Sequence, residues 1–358
     1  MSQFHSLTLK EVRPETRDAV SLLFDVPASL QETFRFTQGQ HLVLRTHLSN
    51  EEVRRSYSIC SGVNDGELRV AVKRVAGGRF SNFANEQLKA GQTLDVMPPQ
   101  GHFHVALDPQ RQGDYLAVAA GSGITPILSI IKTTLESEPQ SRFTLFYGNR
   151  STATTLFREA LEDLKNRYMQ RLNLVFIFSR EQQDIDLYNG HINHEKCDAL
   201  FDRWVKVPEL TAAFICGPQV MTESVRDSLI NHGLDKSRVH YELFTPAGGA
   251  PVARKDRADV QVDQQAVSQV TVVADGRALT FDLTRNTQSI LDAGNANGAD
   301  LPWSCKAGVC STCRAKVVEG EVDMDANFAL EDYEVEAGYV LSCQCYPVSD
   351  KVVLDFDQ

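Results

Sequence analysis

The chain has 358 residues, of which 42% are hydrophobic and 23% charged, so it can build packed cores but is too long for one ordinary domain. Its 47 acidic and 36 basic residues give a net charge of −11, which repels phosphate backbones and anionic lipid surfaces. We therefore expect a multi-domain globular protein that binds neither nucleic acid nor membranes.

The N-terminal residues 1–12 contain neither the apolar core nor the small-residue cleavage site of a signal peptide. The longest uncharged run, residues 115–131, is shorter than a membrane span and is interrupted by glycine and proline. A cytoplasmic protein is predicted. Eight cysteines in that reducing compartment indicate metal or redox chemistry rather than disulfides.

The first hundred residues alternate short β-branched runs with turns, which predicts a small antiparallel β-barrel. The predicted strands are 6–12, 19–26, 41–46, 56–60, 67–73 and 93–97. From residue 115, strands alternate with helices, which predicts a parallel sheet covered on both faces. The predicted strands there are 115–119, 142–147, 172–178, 212–216 and 239–243, and the predicted helices are 125–135, 154–168 and 219–231.

The C-terminal quarter differs from the rest in charge. Residues 266–358 hold 15 acidic and 6 basic residues, which indicates a separate acidic module that a basic patch could attract, or simply a solvated surface. The stretch before it is rich in Pro, Gly, Ala and charge and predicts a linker. The predicted division is a β-barrel at 1–107, an α/β domain at 108–244, a linker at 245–267 and a C-terminal domain at 268–358.

Four cysteines carry the strongest single signal. Cys305, Cys310 and Cys313 follow a C-x4-C-x2-C pattern in a loop of small residues, and Cys343 lies 30 residues further on. This is the spacing of a plant-type [2Fe-2S] cluster, which needs four thiolates. The alternative is a structural zinc site, although zinc sites normally show two C-x2-C pairs. Cys345 is an alternative fourth ligand, but the residues around Cys343 resemble the fourth-ligand segment of plant-type ferredoxins.

Two motifs in the predicted barrel suit a flavin. Arg55 and Tyr57 share one face of a predicted strand while Ser58 points to the other. The glycine-rich segment 77–81 precedes a helix-like stretch, where backbone N–H groups can approach a phosphate. The strand pattern alone is also common in barrels that bind no cofactor.

A third motif follows the first strand of the predicted parallel sheet. Residues 121–126 read GSGITP, with Thr125 as the predicted N-cap of the next helix, and this turn suits a pyrophosphate. The segment lacks the third glycine and the acidic residue of the Rossmann fingerprint. Cys216 precedes Gly217 and Pro218 at the end of a later strand, and by itself would be read as a core cysteine.

Taken together, these motifs resemble the ferredoxin-NADP reductase superfamily. The resemblance implies a flavin-binding β-barrel at 1–107, a nucleotide-binding α/β domain at 108–244 and an α+β ferredoxin domain of the β-grasp type at 268–358. The resemblance implies that Arg55, Gly78 and Ser81 hold the pyrophosphate of FAD, that Tyr57 packs on the isoalloxazine and that Ser58 lies near the flavin N5. It also implies that the nicotinamide nucleotide binds at Gly121, Gly123, Thr125, Pro126, Gly217 and Pro218. FMN is the alternative to FAD, and the glycine-rich segment favours FAD because it suits a pyrophosphate.

The resemblance also extends to the end of the α/β domain. Residues 241–244 read YELF and resemble the terminal W-E-V-Y of plant reductases, which implies that Phe244 stacks on the flavin. In those enzymes the chain ends there, whereas here it continues. The catalytic residues implied are Ser58, Cys216 and Glu242, and no acid–base triad is required.

The choice between NADPH and NADH depends on what meets the adenosine ribose. Ser179 and Arg180 begin an S-R-E-Q segment that resembles the one with which plant reductases hold the 2′-phosphate of NADPH. The lysine and tyrosine expected about ten residues later are replaced by Asn189 and His191. The segment favours NADPH over NADH.

The order of the three parts implies an oxidoreductase in which electrons pass from NADPH to FAD and then to a [2Fe-2S] cluster. Several stretches, including GADLPWSCKAGVCSTC, most resemble the reductase subunits of multicomponent di-iron monooxygenases that epoxidise the aromatic ring of a CoA thioester. Di-iron oxygenase subunits are therefore the expected partners. The alternatives are a reductase of the same domain order for a Rieske oxygenase, a demethylase or a hybrid-cluster protein, and a redox sensor without turnover.

Overall fold

The structure is a computed structural model that describes residues 4–244 and 266–358. It contains two compact units, a larger one made of His5–Val53 and Tyr57–Phe244 and a smaller one that contains residues 266–358. The predicted linker lies almost entirely outside the described residues. None of the helices in the described residues combines the length and the apolar character needed to cross a membrane.

The N-terminal part of the larger unit is an antiparallel barrel. Its elements are β1 (His5–Thr16), β2 (Ala19–Asp25), β3 (His41–Leu48), β4 (Glu51–Ser58), β5 (Leu68–Lys73), α1 (Arg79–Glu86) and β6 (Thr93–Val96). The strand order is β4-β3-β6-β1-β2-β5. Ile59, directly after β4, pairs with Val70 of β5, so the two edge strands meet and close the sheet. The predicted barrel is confirmed.

One barrel strand begins earlier than predicted. β4 starts at Glu51 rather than at residue 56, because Ser49 and Asn50 adopt left-handed conformations and form a tight turn that returns the chain into the sheet at once. The first residues of β4 are charged and exposed. The sequence did not predict this part of the strand, because exposed strand residues do not show the alternation of apolar and polar residues that marks a strand.

The rest of the larger unit is a five-stranded sheet with helices. Its elements are β7 (Asp114–Ala120), α2 (Ile124–Ser137), β8 (Arg142–Asn149), α3 (Arg158–Arg167), β9 (Leu172–Phe178), α4 (His194–Trp204), β10 (Ala212–Gly217), α5 (Gln219–Asn231) and β11 (Val239–Leu243). The order is β11-β10-β7-β8-β9, and every neighbouring pair is parallel. The central strands β7 and β10 are almost continuously apolar and buried, as parallel strands covered on both faces must be.

Two helices in this sheet domain depart from the sequence prediction. Helix α4 was not predicted, although Asn193 caps it and Cys197, Leu200 and Phe201 form its buried face. Helix α3 begins at Arg158 instead of residue 154, because Phe157 before it takes a left-handed conformation.

Short 3₁₀ turns occur at Ala28–Leu30, Gly121–Gly123, Thr152–Thr154, Asp186–Tyr188, Val207–Glu209, Lys236–Arg238 and Ser342–Gln344.

A fully buried carboxylate joins the connection before β7 to the end of α2. Glu138 accepts hydrogen bonds from the Tyr115 hydroxyl at 2.9 Å, the Ser141 hydroxyl at 2.7 Å, the Arg111 guanidinium at 3.1 Å and the Asp108 N–H at 3.0 Å. Burial, together with this carboxylate, raises the pKa of Tyr115 to about 12, so its hydroxyl stays a donor.

Replacing Glu138 with alanine is expected to lower the free energy of unfolding by about 3 kcal/mol, because several buried donors lose one shared acceptor. Urea denaturation followed by circular dichroism measures the loss. The control is Glu162→Ala, which removes the exposed Arg158–Glu162 pair of α3 and should cost at most about 0.5 kcal/mol. Equal losses for the two variants would contradict the structural role of Glu138.

The smaller unit is a mixed sheet with one principal helix. Its elements are β12 (Val267–Ala274), β13 (Arg277–Thr284), α6 (Ile290–Ala296), β14 (Arg314–Glu319), β15 (Val322–Met324), α7 (Asp332–Glu336), β16 (Tyr339–Leu341), β17 (Cys345–Pro347) and β18 (Lys351–Asp355). The main sheet has the order β13-β12-β18-β14-β16, and β15 pairs with β17. Ile290 and Leu291 of α6 lie in the core beneath the sheet. The predicted α+β ferredoxin fold is confirmed.

Candidate flavin, nucleotide and iron-sulfur sites

Strand β4 presents the residues predicted to bind the flavin. Arg55 and Tyr57 are both half-buried and lie two positions apart, as expected for residues on one face of a strand. The Tyr57 ring lies 5.4 Å from the ring of Phe80 in α1. Ser58 is 4% exposed and ends the strand.

The glycine-rich turn before α1 is tightly closed. A Cβ atom on Gly78 would lie 2.4 Å from the Ser81 Oγ, so only glycine fits at this N-cap. The Ser81 hydroxyl accepts from the Val75 N–H at 3.1 Å and donates to the Gly78 carbonyl at 3.3 Å. The hydroxyl therefore stabilises the turn, and phosphate binding by the N–H groups of the first turn of α1 stays a prediction.

The residues predicted to bind the nucleotide lie at the carboxyl ends of β7 and β10. From β7 the sheet grows towards β9 on one side, and from β10 it grows towards β11 on the other. Ligands of open parallel sheets usually bind at the point between two such strands. A Cβ atom on Gly123 would lie 2.0 Å from the Cys216 carbonyl oxygen, and one on Gly217 would lie 2.6 Å from Met221. Because these glycines have no side chains, the turn before α2 can pack against the turn before α5. Pro218 follows Gly217 and is the N-cap of α5.

The start of α2 corrects one prediction. The helix begins at Ile124 with Gly123 as its N-cap, so Thr125 is not the N-cap, because the preceding turn Gly121–Gly123 is already helical. The Thr125 hydroxyl donates to the Ser122 carbonyl at 3.0 Å. Pro126 lies in the first turn, where its missing N–H costs nothing.

The three residues predicted to be catalytic come together in the larger unit. The Ser58 hydroxyl at the end of β4 donates to a carboxylate oxygen of Glu242 at 3.5 Å. Glu242 of β11 pairs in register with Cys216 of β10. Burial and, less strongly, the Glu242 carboxylate raise the pKa of Cys216 well above its ordinary value. Cys216 is therefore a neutral thiol that can line a site for hydride transfer without adding charge.

The last aromatic residue of the α/β domain also lies close to this site. Phe244 directly follows β11 and is half-buried against the core cluster that contains Cys216. Its predicted stacking on the flavin stays a prediction.

A pocket of about 360 Å³ opens after β9. It is lined by Phe178, Ser179, Arg180, Glu181, Gln182, Asn189 and Gly190. The Arg180 N–H donates to the Arg150 carbonyl at 2.8 Å, which brings together the chain segments that follow β8 and β9. Both arginines are exposed, and neither guanidinium has a partner within residues 4–244 and 266–358.

The contact between Arg180 and the Arg150 carbonyl could not be predicted from the sequence, because it depends on β8 and β9 being neighbours. Glu181, the acidic residue of the pocket, already accepts hydrogen bonds from within the protein. Glu181 accepts from the Thr152 N–H at 2.7 Å and the Thr152 hydroxyl at 2.6 Å, and these bonds lower its pKa. Asn189 braces the loop through bonds to Gln183 at 2.7 and 2.9 Å.

The four predicted cluster ligands form two pairs of thiols. Cys310 donates to Cys305, which lowers the pKa of Cys305 to about 7, and Cys313 donates to Cys343 and lowers its pKa. The Ala307 N–H also points at the Cys305 sulfur, 3.3 Å away. Two cysteines for each of two irons is the ligand set of a [2Fe-2S] cluster, so these residues fit that group.

The four thiols stand in two pairs, and no group of three or more His, Cys, Asp or Glu side chains is placed around one point within the described residues. Cys345 is fully buried in β17 opposite Met324, where burial raises its pKa well above the ordinary value. This geometry favours Cys343 over Cys345 as the fourth ligand.

Comparison with known domain families gives three matches in chain order. Residues 6–105 match the oxidoreductase FAD-binding domain, residues 117–227 the oxidoreductase NAD-binding domain and residues 272–348 the 2Fe-2S iron-sulfur cluster binding domain. FAD, a pyridine nucleotide and a [2Fe-2S] cluster are therefore the cofactors of the three domains.

Two curated relatives cover the chain almost end to end. A subunit of 1,2-phenylacetyl-CoA epoxidase from Escherichia coli (strain K12) is 49% identical over 357 residues, which is 100% of this chain and 99% of the relative. The ferredoxin reductase component of 3-ketosteroid-9-alpha-monooxygenase from Rhodococcus rhodochrous is 35% identical over 355 residues, 98% of this chain and 96% of the relative. Among solved structures, phthalate dioxygenase reductase superposes with a TM-score of 0.58 at 23% identity, covering 99% of this chain and 98% of its own, which shows the shared fold.

Proposed function

The chain belongs to the ferredoxin-NADP reductase superfamily, in the group with a C-terminal [2Fe-2S] domain, and we propose that it is the reductase component of a phenylacetyl-CoA epoxidase. One observation carries the proposal. The 49% identity to the relative from that epoxidase runs over the whole chain rather than over one domain. In this role the protein acts in the cytoplasm, in phenylacetate catabolism, and its partners are di-iron oxygenase subunits.

The electron path follows from the three domains. NADPH supplies two electrons as a hydride, a flavin takes both and passes them on singly, and an iron-sulfur cluster accepts one at a time. The residues of the chain bind and orient these groups. Ser58, Glu242 and Cys216 lie together where the barrel and the parallel sheet meet, with Ser58 and Cys216 buried and Glu242 partly exposed.

The pocket after β9 supports NADPH as the electron donor. Arg180 lines this pocket and offers an exposed guanidinium group to a dianionic 2′-phosphate. An NADH site instead needs a carboxylate for the ribose hydroxyl, and Glu181 already accepts two hydrogen bonds from Thr152.

Replacing Arg180 with alanine is expected to lower kcat/KM for NADPH by about 10- to 100-fold, because a charge-assisted hydrogen bond to the phosphate is lost. The value for NADH should change by less than about threefold, since NADH lacks that phosphate. Steady-state kinetics with both donors measures the effect. Arg158→Ala, on the exposed side of α3, is the control. A parallel fall for NADH and NADPH would show that Arg180 does not read the phosphate.

The proposed partner is tested with purified oxygenase subunits of phenylacetyl-CoA epoxidase. NADPH oxidation and epoxide formation are measured with and without phenylacetyl-CoA. We expect epoxide to form in proportion to NADPH, and only when both the oxygenase and the thioester are present. If NADPH is consumed only in the reduction of O₂ or dyes, the electron path remains and the acceptor is another oxygenase.

A further inference from the structure

A buried glutamine directly follows the fourth proposed cluster ligand. Gln344 is 6% exposed and ends the 3₁₀ turn Ser342–Gln344. Its amide nitrogen lies 3.6 Å from the Cys343 sulfur, 3.1 Å from the Cys343 carbonyl and 3.0 Å from the Lys306 carbonyl, and its two N–H groups serve these three acceptors, so one N–H is shared. All three neighbours are acceptors, so the nitrogen and not the oxygen of the amide must face them.

The segments on either side hold this amide in place. The backbone carbonyl of Gln344 accepts from the Asp325 N–H at 3.0 Å, which fixes the backbone from which the side chain extends. A Cβ atom on Gly308 would lie 3.4 Å from the Gln344 Cγ and 2.9 Å from the Ala326 carbonyl oxygen, so the cysteine loop packs directly on the glutamine stem. The amide therefore cannot swing away from Cys343 without breaking its bond to the loop that carries Cys305 and Cys310.

We propose that the Gln344 side chain sets the reduction potential of the [2Fe-2S] cluster by donating a hydrogen bond to the Cys343 sulfur. Reduction adds negative charge to the cluster and its ligand sulfurs. A fixed donor stabilises the reduced form more than the oxidised form and so raises the reduction potential. The inference rests on the proposed function, because it requires Cys343 to be a cluster ligand.

Other donors reach the proposed ligands but do not depend on Gln344. The Ala307 N–H points at the Cys305 sulfur, and the side chain of Thr312 bonds to Cys310. Both contact the first pair of cysteines, whereas Gln344 contacts the second pair. A substitution at Gln344 therefore removes one side-chain donor from the second pair, where the Gly308 N–H still donates to the Cys343 sulfur.

The test compares two variants of the full holoprotein with the wild type. Gln344→Met keeps the length of the side chain and removes the donor. Gln344→Glu keeps the shape and replaces the donor with a carboxylate. The readout is the midpoint potential of the cluster, obtained by redox titration followed by EPR of the reduced cluster. The flavin potential in the same sample is an internal reference, and Gln269→Met, at an exposed position of β12, is the matched control.

For Gln344→Met we expect the equilibrium between reduced and oxidised cluster to shift about tenfold towards the oxidised form, which is about 59 mV for one electron. Gln344→Glu should shift it further in the same direction, while the flavin potential and Gln269→Met remain at wild-type values. Wild-type cluster potentials in both variants would overturn the inference. If both variants lost the cluster while NADPH still reduced the flavin, the inference would also be overturned. Gln344 would then only stabilise the cysteine loop. A wild-type protein without a [2Fe-2S] signal would instead refute the ligand assignment, and with it the proposed function.

Discussion

Replacing Cys343 with serine is expected to abolish electron delivery to the oxygenase, with a fall of at least about 100-fold, while flavin reduction by NADPH stays close to wild type. The reason is the pairing of Cys313 with Cys343, which leaves one iron of the cluster with a single thiolate when Cys343 is removed. Iron content and EPR measure the loss of the cluster. Reduction of ferricyanide, which can take electrons from the flavin, measures what remains.

The matched control is Cys345→Ser. Cys345 lies only two residues away but is fully buried in β17 and pairs with Met324 across the small sheet. We expect this variant to keep its iron and its electron transfer, with a modest loss of stability from a buried hydroxyl. If Cys345→Ser lost the cluster and Cys343→Ser kept it, the fourth ligand would have to be reassigned.

The second large effect is expected at Cys216. Cys216→Ala should slow flavin reduction by NADPH about 100-fold, because a small displacement of the nicotinamide from the flavin is enough to cost that factor. The side chain is fully buried and lies in register with Glu242, which bonds to Ser58. Stopped-flow measurement of flavin reduction under anaerobic conditions gives the rate directly.

Cys197→Ala is the control for Cys216. Cys197 is equally buried but lies on α4, in a different hydrophobic cluster from Cys216. Its removal should lower stability and leave the rate of flavin reduction within about twofold of wild type. Similar slow rates in both variants would mean that Cys216 acts through packing alone and has no place beside the nicotinamide.

The sequence by itself determined the kinds of domain, their order and the classes of cofactor. Cysteine spacing is a local property, because a loop must present its thiols at fixed separations to surround two irons. Glycine turns after apolar strands are local for the same reason, since a phosphate needs several N–H groups from one short segment. Helix α5 and strand β11 were also predicted at their observed bounds. The spacing of apolar residues within each segment is enough to define it.

Only the tertiary structure decided what depends on distant segments. Ser58 and Glu242 are 184 residues apart in the chain, and the Arg150 carbonyl meets the Arg180 N–H only because β8 and β9 are neighbours. No local pattern encodes such contacts, since they arise when separate elements pack together. The same holds for Gln344, whose amide meets Lys306 across 38 residues and the Cys343 sulfur only through the fold of that turn.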